Sequence, residues 1–304
     1  MGGGLAAHGL AAAVSEAGAL GTIGIAGPKV LRAEIAAARR LTGRPLALNL
    51  IVPFAGRRHW DAAAEVDVVV THWEARPRRR TPKPWIHTAG SVEEARAAVA
   101  AGADAVIAQG VESGGHVRGT IPALELLERV RSALPAGYPV LLAGGIATAA
   151  DVRVALDAGA TAAIAGTRFL ASDESRAHAE YKRRLVENRE TVLTELFGMA
   201  WPQAPHRVLH NAATERWLQD DPRGPAKVRA LHRVLSPAAR LTPLSVQLKR
   251  ARRASSAALE LTPAAPTAGM PAATLETHPL YAGETVARID SVRPAAEIAR
   301  ELTP

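Results

Sequence analysis

The chain has 304 residues, of which 48% are apolar, 22% charged and only 4% aromatic, with a formal net charge of +8 and no cysteine. This is a globular composition resting on aliphatic packing. It excludes disulfides, thiolate metal sites and a cysteine nucleophile. No apolar run reaches membrane-spanning length, and the N-terminus lacks a leader pattern, so a cytoplasmic protein with no membrane partner is expected. The basic excess gathers in residues 76–83 and 249–253. Without interleaved aromatics to stack bases, a solvated face is preferred there over a nucleic-acid site.

In chain order, Met1-Gly-Gly-Gly-Leu-Ala-Ala-His-Gly9 reads as a loop that follows a strand, and residues 10–17 as a helix. Short apolar strands are expected near 20–25, 45–52, 66–71, 84–88, 104–108, 139–143 and 161–165. Each is too short for a helix and too continuous for a one-sided strand, which suits a parallel strand buried on both faces. A unit recurs: Ala101-Gly-Ala-Asp-Ala-Val-Ile-Ala-Gln109 matches Ala158-Gly-Ala-Thr-Ala-Ala-Ile-Ala-Gly166, with an echo at Ala17-Gly-Ala-Leu-Gly-Thr-Ile-Gly24. In it, Gly18, Gly102 and Gly159 suit the left-handed residue that ends a helix. Ser91 with Glu94, and Thr148 with Asp151, read as helix N-caps with their returning carboxylates, and Pro122 suits a first helical turn.

Strands alternating with such helices predict a (β/α)8 TIM barrel. Seven strands are visible where eight are needed, so the first is expected upstream of Met1. A strand burying about four aliphatic side chains contributes roughly 6–12 kcal/mol, so either the natural chain starts earlier or this form folds poorly. The barrel's last helix is expected over 173–188. Beyond residue 193 the rhythm stops at Pro202, Pro205, Pro222 and Pro225. A helix near 227–235, a loop over 255–278 and a last helix over 294–302 follow. The expected organisation is a barrel over residues 1–190 and a small, mostly helical C-terminal cap over 191–304.

Catalytic residues of such barrels sit just past the C-terminal ends of strands. There, residues 109–119 carry four glycines around His116. The glycines allow backbone to lie against a flat ligand, and His is the side chain suited to proton transfer near neutral pH. The competing reading is a flexible loop with an incidental His. After the last two strands come Gly144 and Gly145, then Gly166 and Thr167, where a barrel's phosphate site commonly lies. A metal site from His72, His87 and His116 is the weaker reading, since no carboxylate has ligand spacing. His8, His59, His178, His206, His210 and His278 default to surface or packing roles.

These segments resemble the nitronate monooxygenase family, formerly the 2-nitropropane dioxygenases. The resemblance rests on Ala108-Gln-Gly-Val-Glu-Ser-Gly-Gly-His116, Ala143-Gly-Gly-Ile146 and Gly166-Thr-Arg-Phe169. It extends from Met1 through about Glu195, and weakly to Tyr281. It implies FMN, with Met1, Gly2, Asn49, Gln109, Gly114 and Gly115 at the flavin and Gly144, Gly145, Gly166 and Thr167 at its phosphate. It also implies His116 as base or substrate-orienting group, and His72 and Tyr281 at the substrate. The implied reaction oxidises an alkyl nitronate, a small anion, with O2 to a carbonyl compound and nitrite. An FMN- and NADH-dependent enoyl-ACP reductase also carries Glu-x-Gly-Gly-His, but usually with Glu where this chain has Gln109. A degenerate, non-catalytic barrel is the other rival.

Overall fold

A computed structural model of the protein describes residues 2–74, 81–199, 201, 203–242, 246 and 261–303. The first basic cluster lies mostly, and the second wholly, outside these residues.

Seven parallel strands run in sequence order through one curled sheet: β1 (Gly21–Ile23), β2 (Leu46–Ile51), β3 (Val68–His72), β4 (Trp85–Ala89), β5 (Ala105–Gln109), β7 (Val140–Ala143) and β8 (Ala163–Ile164). The interposed β6 (Gly115–His116) belongs to a second sheet. Among the described residues β1 and β8 do not pair with each other. Helices α1 (His8–Glu16), α2 (Pro28–Leu41), α3 (Arg57–Ala63), α4 (Val92–Ala100), α5 (Ala123–Ala133) and α6 (Ala149–Asp157) connect or flank the strands. This is a TIM-barrel framework with seven of its strands formed.

Local signals explain the helix ends. Ser91 Oγ accepts from the Glu94 N–H at 3.2 Å, while the Glu94 carboxylate reaches past it to the Gly90 N–H at 2.8 Å. Thr148 and Asp151 cap each other reciprocally. Gly102 and Gly159 follow α4 and α6 with φ of 91° and 89°, where a side chain would be strained.

Strand alternation sorts side chains into two layers. Leu46, Leu48, Leu50, Val69, Val106, Val140 and Leu142 pack outward under the helices and are sealed. Ala47, Val70 and Ile107 face the barrel interior with Val68, Ile86, Leu141 and Ala143. The register pairs Asn49 with Val70 and Gln109 with Ala143, placing both amides on the interior side at the strand ends. His72 shares that side with Val68 and Val70. His87 is paired with Thr71 and shares the opposite, outward side with Trp85 and Ala89.

The later chain departs from the predicted rhythm. A one-turn helix, α7 (Thr167–Leu170), is followed by irregular chain, and α8 begins only at Ala179, ending at Glu187. The intervening backbone is used elsewhere: Arg176 N–H donates to Leu5 O at 3.0 Å, and Ser172 and Ala177 bridge to Arg293 and Thr267. β9 (Val192–Thr194) and β10 (His206–Val208) form an antiparallel sheet with β6, which lies inside the glycine-rich loop. After α9 (Ala212–Trp217), α10 spans Ala226–Leu241 and continues through Pro237. The last helix, α11 (Ala295–Leu302), buries Ala295, Ile298 and Ala299 against Leu10 and Val14 of α1 and against Phe169.

Candidate active site

The loop after β5 is held rather than free. Gln109 commits both ends of its amide to it: Nε2 donates to the His116 carbonyl at 3.3 Å, and Oε1 accepts from the Arg118 N–H at 2.9 Å. His116 then enters β6, directly opposite His206 of β10. Arg207, buried beside it, donates from Nη2 to the Val111 carbonyl at 2.8 Å and pairs with Glu284 at 3.0 Å. The later chain thus clamps the loop from outside the barrel.

Around the His116 ring lie Trp201, stacked at 4.0 Å and 26°, Trp73 edge-on at 5.9 Å, and Tyr281 at 5.6 Å. Trp73 packs on Trp201 at 4.3 Å, and Phe54 meets Trp201 edge-on at 5.1 Å. In a chain with five Trp, three Tyr and three Phe, this is a strong local concentration. Trp73 holds a left-handed φ of 80° immediately after β3. Such backbone is strained for a bulky residue and is typical of functional sites. The Arg118 guanidinium lies 5.0 Å from the Trp73 ring and pairs with Glu94.

Electrostatically this end of the rim disfavours charge on its histidines. Burial pushes His116 well below the usual imidazole range, helped by neighbouring His206 and His72. Burial likewise holds His72 down to about 3 and His206 to about 4. His206 is fully bonded, since Nε2 accepts from the Phe197 N–H at 3.2 Å and Nδ1 lies 3.0 Å from the Ala204 carbonyl. That fixes it as a neutral packing group with its proton on Nδ1. His116 differs: its buried Nε2 has no hydrogen-bond partner.

The other end of the rim is polar and glycine-lined. Gly144 and Gly145 have φ of 114° and 77°. The Glu112 carboxylate faces both glycines and accepts from Ala123 N–H, at the start of α5, at 2.9 Å. A Cβ on Gly114 would stand 2.4 Å from Gly283 N and 3.1 Å from Thr167 Oγ1. Thr167 Oγ1 accepts from the Gly283 N–H at 2.9 Å, leaving its own hydrogen available. Arg288 donates to the Gly145 carbonyl at 2.7 Å and pairs with Asp151. Gly166 has open space where a side chain would stand.

The family model for nitronate monooxygenase matches residues 1–76 and 78–304. The chain belongs to the nitronate monooxygenase family. Nitronate monooxygenase of Pseudomonas aeruginosa is 34% identical over 69% of this chain and 76% of its own length. A relative from Mycobacterium tuberculosis, (3aS,4S,5R,7aS)-5-hydroxy-7a-methyl-1-oxo-octahydro-1H-indene-4-carboxyl-CoA dehydrogenase, is 30% identical over 68% of this chain and 61% of its own. Among solved structures, nitroalkane oxidase from Streptomyces ansochromogenes superposes with a TM-score of 0.74 at 31% identity, covering 99% of this chain and 92% of that one. FabK from Thermotoga maritima gives 0.73 at 29% identity, covering 98% and 88%. The protein is thus an oxidoreductase of a flavoenzyme family built on a TIM barrel.

Against the family motifs, the structure brings His116, Gln109 and Tyr281 together at one end, with His72 near them on the inner side of β3. The Tyr281 hydroxyl donates to the Pro263 carbonyl at 2.8 Å, so its ring rather than its oxygen faces His116. Asn49 is buried and makes no side-chain hydrogen bond among the described residues. Gly114, Gly144 and Thr167 meet around residues 112–114, while Gly2 packs beside Ile25 at the end of β1. Met1 lies outside the described residues. Among the described residues no three His, Cys, Asp or Glu side chains are grouped to hold a metal ion. His72 and His87 point to opposite faces of the sheet, which prevents the three-histidine arrangement. No helix among the described residues is long and apolar enough to cross a membrane. Phe54, Trp73 and Trp201 escaped the sequence reading, because nothing in their spacing links them.

Proposed function

We propose that this chain binds FMN across the C-terminal rim of the barrel and oxidises small alkyl nitronates with O2 to a carbonyl compound and nitrite. The observation that carries this reading is His116: an uncharged imidazole, its backbone carbonyl held by Gln109, with an unpartnered buried Nε2 inside an aromatic stack. The residues present suit FMN. Asn49 offers a buried, unpartnered amide to the ring, and Gln109 keeps a second Nε2 hydrogen for it. Gly114, Gly115 and Gly2 would lie against the ring. Gly144, Gly145, Gly166 and the Thr167 hydroxyl would hold the phosphate.

The flavin supplies the one-electron and oxygen chemistry, and the protein binds, orients and tunes. A neutral His116 keeps a ring nitrogen free to accept the proton of a neutral nitroalkane, or to orient a substrate that arrives already deprotonated. A nitronate anion hydrogen-bonded to it would also draw its pKa back up. His72 and the Tyr281 ring bound the substrate. Overall, two nitronates would consume one O2: in each the carbon–nitrogen bond breaks, one of the two oxygen atoms becomes the carbonyl oxygen, and nitrogen leaves as nitrite. Purified protein should release FMN on denaturation and consume O2 with propyl-1-nitronate while forming nitrite. Flavin-containing protein that forms no nitrite would overturn the reading.

A further inference from the structure

Six buried side-chain nitrogens in the described chain have no hydrogen-bond partner. Two of them, His116 Nε2 and Trp201 Nε1, belong to rings stacked on each other at 4.0 Å. A buried, unpaired indole N–H is costly and calls for an explanation in a native structure. Trp201 has no structural use for that proton. Its position is already fixed by its backbone N–H, which donates to Gly198 O at 2.9 Å, and by ring contacts with Phe54 at 5.1 Å and Trp73 at 4.3 Å. Trp73 is itself held there by strained backbone, with φ of 80°, and is backed by Arg118.

We infer that Trp201 is a substrate-binding residue: its Nε1–H donates a hydrogen bond to an oxygen of a planar nitronate, and the Phe54 and Trp73 rings wall the substrate's hydrocarbon part. This rests on the nitronate reading above. The chemistry fits on three counts. A nitronate spreads its charge over two acceptor oxygens, so it needs donors more than a full cation. An indole N–H does not ionise, so the donor persists at any working pH. A desolvated donor also gains strength from the low local dielectric. The aromatic walls favour flat substrates with apolar substituents, and an added charge on the substrate would be poorly tolerated.

The test has two arms. In Trp201→Phe, which removes the N–H and keeps a ring, KM for propyl-1-nitronate should rise about tenfold, the typical size of one hydrogen bond. The turnover number and flavin content should stay within about twofold, and Trp201→Tyr, with a donor restored, should recover part of the loss. An unchanged KM in flavin-replete Trp201→Phe overturns the inference. The second arm uses the wild-type protein labelled with 15N at indole nitrogens, titrated with sodium nitrite as a planar oxyanion that is not oxidised. The resonance absent from either Trp201 variant should move downfield and saturate, while the other four of the five indoles stay in place. A Trp201 signal that does not move, or that moves no more than the others, overturns it too. Absence of nitrite formation by the wild type, with the Trp201 resonance still moving, would instead overturn the nitronate reading and leave Trp201 as the donor to a different planar oxyanion.

Discussion

The two ends of the rim solve different problems with different residues. At the β7–β8 end, glycines in left-handed backbone, the Thr167 hydroxyl, Glu112 and Arg288 make a polar corner in which nearly every group has a partner. At the β2–β5 end, aromatic rings and uncharged histidines leave His116 Nε2 and Trp201 Nε1 without partners. The contrast teaches that satisfied and unsatisfied polar groups are segregated along one rim. The polar corner is set by backbone, and at Gly114 and Gly144 it is intolerant of added volume. The aromatic end is set by side chains, carries unsatisfied groups, and should tolerate substitution structurally while losing function.

The sharpest way to break that contrast is His116→Asn. Turnover of neutral nitroalkanes should fall about a hundredfold or more, within the range for a lost proton-transfer group. Turnover of preformed nitronates should fall less, and flavin should be retained. Comparable loss on both substrates would mean that His116 does not handle the proton. At the other end, Gly114→Ala should destabilise the fold by about 1–3 kcal/mol through overpacking. Its new Cβ would meet backbone at Gly283 and Ala282, at 2.4 and 2.7 Å, and neither can move alone. Thermal melts and flavin content together would show it.

Acid should unsettle the aromatic end first. His72, His87 and His206 fold with pKa values near 3, 4 and 4, below the unfolded value of about 6.5, so the unfolded chain binds protons that the folded chain refuses. Their contribution is fully present above about pH 6.5 and is lost as pH falls toward about 4. Each such group adds a slope of about 1.4 kcal/mol per pH unit within its window. Urea unfolding at several pH values should steepen in this interval, and His206→Asn should flatten it. Asn49→Leu should weaken FMN binding about tenfold while leaving flavin-free stability unchanged or raised, because the amide has no partner to lose. The smallest effect is expected from Arg288→Met. Its ion pair with Asp151 is 48% exposed on the Arg side, and exposed pairs contribute about 0–1 kcal/mol.

The polar corner was largely legible in the sequence, and the aromatic end was not. Gly144, Gly145, Gly166 and Thr167 follow strands announced by the Ala-Gly-Ala repeat, so chain-local signals were sufficient to place them. His116 was legible for the same reason. Its surroundings come from four separate stretches, at Phe54, Trp73, Trp201 and Tyr281, joined only by folding. The β6–β10 pairing that sets His116 against His206 is invisible in a glycine-rich segment with no strand periodicity. The missing α-helical start before Ala179 has the same origin, since Arg176 and Ala177 bond to distant backbone that no local pattern reveals.

The central claim is that the aromatic end presents an anionic nitronate to a flavin held by the polar corner. Its most direct test is to mix the flavin-loaded protein with propyl-1-nitronate in the absence of oxygen and follow the flavin absorbance. Bleaching by the nitronate, with no bleaching by NADH, is the predicted result. A flavin that stays oxidised with nitronate but is reduced by NADH, with turnover of a crotonyl thioester, would contradict the account.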